Sequence, residues 1–185
     1  MLNNFSPFPV LQTERLVLRQ LTMQDEKEIF LLRSDENVNK YIDRPPAVSL
    51  EDAQKFIEKI NRGIAGNESL FWAIHFKNDA QLIGTICCWN FCKEEERAEI
   101  GYELLPFFQG KGIMQEAVSA VIQFGFQTMQ LQSVEAWLKP QNLRSVNVLE
   151  RNEFKRNIEA EKRLSEVEKA DGIVAYCLNK SDFAY

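Results

Sequence analysis

The chain has little of what the commonest catalytic and metal centres are made from. A single histidine, His75, stands in 185 residues, so no serine–histidine–aspartate set is suggested. Cys87, Cys88, Cys92 and Cys177 lack the C-x-x-C spacing of zinc sites, and no metal is expected. They read instead as reduced, mostly buried small side chains of a cytoplasmic protein. Apolar runs such as "LIGTICCW" fall far short of the roughly 20 residues of a membrane span, so no membrane partner is expected. The opening "MLNNFSPFPV" has no basic segment followed by an apolar one, and no leader is expected. A formal charge of −5 speaks against nucleic acid as a partner, yet leaves room for a local basic pocket.

What is present reads as one domain over residues 1–185. Hydrophobic residues at 45% and charged residues at 26% suit a globular protein with a core of ordinary size. "ERLVLRQL" (14–21) alternates as a strand. Thr22 and Asp25 form a capping-box pattern that opens a helix to about Leu32, and Ser49 caps a second helix through Ile60. "SLFWAIHF" and "QLIGTICCWNF" flank the turn "KNDA" as a hairpin. "RAEIGYELL" (97–105) is a strand with Glu99, Gly101 and Glu103 on one face. Residues 113–129 carry an apolar helical stripe, 133–138 a strand, 142–151 a short helix and 172–178 a last strand. The order predicts a mixed α/β fold whose strands 97–105 and 133–138 run parallel as neighbours through a right-handed crossover. His75, Trp72, Trp89, Trp137, Met114 and Met129 read as structural residues on strands and helix ends.

The stretch "QGKGIM" (109–114) lies beyond the carboxyl end of the 97–105 strand, where open α/β sheets bind ligands. Lys111 is followed by Gly112, not Ser or Thr, which excludes a Walker loop. A dinucleotide fingerprint fails because Gln115 stands where its third glycine would be. What remains is a glycine turn feeding a helix N-terminus, whose free N–H groups and dipole favour an anion.

Taken with "EIGYELLPFFQGKGIMQEA" and "VEAWLKPQNLRSVNVLERNEF", that turn resembles the GNAT superfamily of acetyl-CoA-dependent N-acetyltransferases, in particular its RimJ/RimL-type branch. The resemblance runs from about residue 13 to 183. It implies a mostly antiparallel sheet of about seven strands, with a parallel pair splayed around the cofactor and helices on both faces. It implies that Gln109, Gly110, Lys111, Gly112, Ile113 and Met114 wrap the pyrophosphate of acetyl-CoA, used as co-substrate. The splayed edge around Glu103, Leu104 and Leu105, together with Asn142 and Ser145, would meet the pantetheine arm. The partner would be an amine acceptor, either a protein N-terminus or a small amine, and relatives are monomers or homodimers.

For the chemistry, the resemblance and the strand's position make Glu99 the first candidate base, with Glu135 on the neighbouring strand the second. Ser145 is the candidate proton donor to the leaving sulfur, because Leu149 replaces the tyrosine that many relatives carry. Glu103 could shape acceptor choice. Two departures stand out: Glu153 replaces a glycine before Phe154, and the charged 155–170 stretch reads as a helix extension or a mobile loop. They keep a second reading open, a non-catalytic acyl-CoA-binding module of the same fold.

Overall fold

A computed structural model describes residues 4–183. Residues 1–3, where the expected absence of a leader begins, and residues 184–185 lie outside the described residues. The chain starts with strands β1 (Leu11–Gln12) and β2 (Leu16–Gln20), then helices α1 (Glu26–Ser34), α2 (Glu36–Asn39) and α3 (Leu50–Ala65). Strands β3 (Leu70–Phe76), β4 (Asp79–Cys92) and β5 (Arg97–Leu104) follow, then helix α4 (Ile113–Gln127). Strand β6 (Ser133–Leu138), helix α5 (Leu143–Arg151), strand β7 (Lys155–Arg156), helices α6 (Ile158–Glu161) and α7 (Glu166–Ala170), and strand β8 (Val174–Asn179) complete it.

Local chemistry explains most of the boundaries. The Thr22 amide donates to Asp25 Oδ2 at 2.8 Å, closing a 3-10 turn at Met23–Asp25 before α1 begins. That turn puts the start of α1 at Glu26, three residues later than the capping pattern alone suggests. Ser49 and Asp52 cap α3 reciprocally, leaving Ala53, Ile57 and Ile64 on its buried face. Asn142 caps α5, its Oδ1 accepting from the Ser145 amide at 3.3 Å.

One sheet of eight strands runs β1-β2-β3-β4-β5-β6-β8-β7, with β5 and β6 its parallel pair. Six of these strands show as alternation in the sequence; β1 and β7, each of two residues, are too short to show a period and bring the count to eight, one above the seven the resemblance implies. Alternation along β5 sends Ala98, Ile100 and Leu104 toward α4, where they pack with Ala117, Val118, Val121, Ile122 and Phe126. Burying each such valine or isoleucine side chain contributes about 1.5–3 kcal/mol. On the other face α1 and α3 cover β2 to β4 through Ile29, Ala53, Ile57, Phe71 and Ala73. Glu99, Gly101 and Glu103 therefore face a stretch of sheet that lies past the edge of that second core.

Residues 155–170 form neither a helix extension nor a plain loop. The short strand β7 pairs with β8, and Asn157 and Ser165 cap α6 and α7 with side-chain hydrogen bonds. At Glu153 the chain keeps the turn a glycine would favour, with φ at 67° and the Phe154 amide donating to the Leu149 carbonyl at 3.0 Å.

Candidate active site

The glycine turn closes β5. After a 3-10 turn at Pro106–Phe108, Gly110 and Gly112 both take the left-handed backbone, at φ 75° and 72°. A Cβ on Gly110 would meet nothing within 4 Å, and one on Gly112 only Arg15 Nη2 at 3.6 Å. Backbone conformation, not crowding by the protein, is what calls for glycine here. Gly112 is the N-cap of α4 and brings no side chain to its first amides. Fifteen residues of helix thus present an uncapped N-terminus toward open space.

The turn is braced from a distance. Arg15 Nη1 donates to the Lys111 carbonyl at 3.2 Å, and Arg15 Nε pairs with Glu116 Oε2 at 2.6 Å. The Lys111 ammonium lies 4.2 Å from the centroid of the Phe107 ring. Ile113 and Met114 are buried in the core below, so only their backbone can face a ligand.

The parallel strands part almost at once. Only Arg97–Ser133, Ala98–Val134 and Glu99–Glu135 are paired, although β5 runs on to Leu104 and β6 to Leu138. The cleft between them is therefore a V with Glu99 and Glu135 at its apex. Gln109 Nε2 donates to the Leu104 carbonyl at 2.8 Å, and its Oε1 accepts from Arg144 Nη1. The Leu105 amide donates to the Ile83 carbonyl at 3.0 Å, so that group is already satisfied, unlike the unpaired edge expected of it. On α5, the Ser145 carbonyl accepts from the Tyr102 hydroxyl at 3.1 Å, which ties α5 to the splayed part of β5. Burial pushes the Tyr102 phenol up, so it remains a donor.

The open face of the sheet holds the acidic residues. Glu99 is half-buried, and its carboxyl lies above the usual range, first through burial and further through the charge of Glu135. A hydrogen bond with Asn90 and the charges of Arg97 and Arg163 oppose that shift. Glu135 is only 4% exposed; it accepts from Arg97 Nη1 at 3.0 Å and from Arg163 Nη2 at 2.6 and 2.7 Å. Glu103 takes both terminal nitrogens of Arg44, one of them at 2.7 Å. Ion pairs thus hold Glu103 and Glu135, and among the described residues Glu99 has none.

Two tryptophans that read as core residues line this face instead. Trp89 is the partner of Glu99 across β4 and β5, and its ring lies over Gly101, where a Cβ would meet Cη2 and Cζ3 at 2.7 Å. Trp137 lies two residues past Glu135 on β6, and its Nε1 is buried without a hydrogen-bond partner. The Arg163 guanidinium carbon is 5.5 Å from that ring. Period-two alternation from the two glutamates carries both indoles to this side. His75 and Trp72 are structural as expected: His75 Nδ1 lies 2.8 Å from the Phe76 carbonyl, and Trp72 is fully buried.

Arg44, Arg163 and Tyr102 carry no motif and escaped the sequence reading, since each meets its partner across 28 to 59 residues of chain. Among the described residues no cluster of histidine, cysteine and carboxylate side chains could hold a metal ion. No helix among them is long and apolar enough to cross a membrane.

A family model described as an acetyltransferase (GNAT) domain matches residues 15–155. The chain is 33% identical over 179 residues to the uncharacterized N-acetyltransferase p20 of Bacillus licheniformis, an alignment covering 94% of this chain and 98% of that one. An acetyltransferase (GNAT family) from Bacillus anthracis shares the fold with a TM-score of 0.77 at 24% identity, over 94% and 99% of the two chains. RimJ from Mycobacterium smegmatis, solved in complex with CoA-disulfide, does so at 0.76 and 17% identity, over 96% and 88%. With the family model spanning the β2-to-β7 region that builds the glycine turn and the V, this chain belongs to the GNAT family of acetyltransferases.

Proposed function

We propose that the chain transfers the acetyl group of acetyl-CoA to a primary amine by direct attack, with Glu99 as base and no acyl-enzyme. The observation that carries this is the position of Glu99. It stands at the last paired rung before β5 and β6 part, half-buried and without an ion pair among the described residues.

Three features support acetyl-CoA as the donor. The left-handed turn at Gly110 and Gly112 leaves open space beside an uncapped helix N-terminus, which suits a pyrophosphate. The V between β5 and β6 suits an amide-bearing arm, which would meet the edge around Glu103 and Leu104. Asn142 and Ser145 border it from α5, which Tyr102 ties down. Acetyl-CoA would supply an activated thioester. In the transfer, the amine nitrogen bonds to the thioester carbonyl carbon, the carbon–sulfur bond breaks, and the sulfur keeps the electron pair. Glu99 takes the amine proton directly or through water, and Ser145 relays one to the sulfur.

A carboxyl pKa raised by burial makes Glu99 a stronger base than an ordinary surface glutamate. Glu135 suits that role less well, because two guanidinium groups occupy its oxygens. Its charge instead helps to raise Glu99. An α-amine, with a reference pKa of about 7.7–8.0, gives up its proton at neutral pH far more readily than a lysine at about 10.4. A peptide N-terminus is therefore the favoured acceptor, in keeping with the resemblance to the RimJ/RimL-type branch.

The test is release of free thiol from acetyl-CoA against a panel of amines, including peptides with Ala, Ser and Met N-termini. Release that requires the amine is the expected result. Tight acetyl-CoA binding with no release against any amine would favour the non-catalytic module.

A further inference from the structure

Three carboxylates around the open face are held by arginines. Glu103 pairs with Arg44, Glu95 with Arg97, and Glu135 with both Arg97 and Arg163. Neither the Glu99 carboxylate nor the Arg33 guanidinium has an ion pair among the described residues. Arg33, at the end of α1, stacks its guanidinium carbon 3.9 Å from the centroid of the Phe56 ring. Asn39 joins it to its neighbour, donating from Nδ2 to the Arg33 carbonyl at 2.8 Å and accepting from Arg44 Nε at 2.8 Å.

Arg44 takes both oxygens of Glu103 in a partly buried place, and Arg33 is near enough to feel the charges of both. Burial and then the like charge of Arg44 hold Arg33 below the usual arginine range, and Glu103 offsets this only in part. Bringing like charges together away from water is unfavourable unless an anion joins them. Among the described residues Arg33 has a ring partner in Phe56 and no ion pair, so its charge is open to a ligand's carboxylate.

Glu99 and Glu103 lie on one strand, four residues apart, so about 13 Å separates the two ends of the face at ~3.3 Å per residue. Trp89 lies between them, its ring across Gly101. The face thus offers a carboxylate without an ion pair, an aromatic floor and, beside Glu103, a guanidinium without an ion pair.

We propose that the acceptor is a peptide α-amine with an acidic side chain at its third or fourth residue, the amine at Glu99, the chain across Trp89 and the acid at Arg33 beside Arg44. This rests on the acetyltransferase reading of the same site. The length fits, since three to four extended residues span roughly 10–13 Å. A planar guanidinium beside a second one binds a carboxylate with charge-assisted hydrogen bonds. A polyamine of that length would bring a cation to Arg33 and be repelled, so the same arrangement selects against the small polycationic acceptors.

Peptides that differ only by Asp or Asn at position three or four test this directly. With acetyl-CoA saturating, the Asp peptides should show kcat/KM about tenfold higher than their Asn partners, carried mainly by KM. The ratio should shrink at high salt. Arg33→Gln should collapse it toward one, and Arg33→Lys should keep part of it. Equal rates for Asp and Asn peptides overturn the proposal, and so does a preference that survives Arg33→Gln. Absence of turnover with every amine counts against the acetyltransferase reading alone. In that event, binding of the N-acetylated peptides to the CoA-loaded wild-type protein decides: tighter binding of the Asp peptide supports the proposal, and equal dissociation constants overturn it.

Discussion

The two sides of the V are built by different means. On the proposed cofactor side the features are backbone ones: left-handed φ at Gly110 and Gly112, the uncapped start of α4, and a strand edge left open where β5 leaves β6. On the proposed acceptor side they are side chains that meet from far apart. Arg44 reaches Glu103 from the loop before α3, and Arg163 reaches Glu135 from the turn between α6 and α7. Each pins a surface segment to the sheet, and Glu99 stands between the two pins. A backbone site depends on few residue identities and can serve one constant ligand. A site walled by ion pairs on two loops can change its walls without disturbing the floor, which suits a variable ligand.

Substitutions that hit one side and spare the other test this contrast. The largest effect is expected from Glu99→Gln, with kcat falling about 10²-fold or more near neutral pH and the acetyl-CoA dissociation constant unchanged. Recovery at higher pH should follow as the amine deprotonates unaided. In the wild type, kcat/KM should fall on acidification as Glu99 protonates, at a pH above the ordinary carboxylate value. The sign for stability is the reverse. A carboxyl raised by folding contributes stability below its unfolded pKa, and that contribution is lost as pH rises through the raised value. At pH 7 Glu99→Gln should therefore not lower Tm, and a variant that melts earlier would mark Glu99 as a structural residue.

Gly112→Val comes next. A branched residue at φ 72° costs roughly 1–2 kcal/mol or moves the turn. Acetyl-CoA should bind about 10- to 100-fold more weakly, measured by calorimetry, while the protein stays folded. Unaltered binding would show that the cradle does not depend on its backbone. Ser145→Ala should cost less, about tenfold in kcat with cofactor affinity kept. The CoA thiol resembles a free thiol of pKa near ~8.5, so its leaving anion is weakly basic and general acid help is worth less than the usual ~10²-fold. A wild-type rate would leave solvent as the donor.

The smallest effect is outside both sides. Glu153 holds φ 67° as a non-glycine residue, so Glu153→Gly should raise stability by up to about 1 kcal/mol, read as Tm, with kinetics unchanged. A drop in Tm would mean that the Glu153 side chain contributes more than its backbone strain costs.

How much of this could be read beforehand follows the same division. Gln109 to Met114, Asn142 and the Glu99–Gly101–Glu103 face were legible because turns, caps and period-two faces are local, each set by neighbours within a few residues. The parallel pairing of β5 with β6 followed from a strand–helix–strand order. Trp89 and Trp137 were misplaced because periodicity tells which face a residue takes, not whether a helix covers that face. The 155–170 stretch was misjudged because its order comes from β7 pairing with β8 and from Arg163 on Glu135, contacts its own composition does not announce.

By itself, then, the chain of residues determined the elements, their order, the glycine turn and the alternation that gathers Glu99, Gly101 and Glu103. These depend on φ preference, capping and period, which act over a few residues. Only the tertiary structure decided which carboxylates are matched by arginines and which is not. A carboxylate's neighbours in space, not in sequence, set its solvation and its partners. Glu99, Glu103 and Glu135 are alike as residues; burial without an ion pair sets Glu99 apart, while Arg44, Arg97 and Arg163 hold the other two.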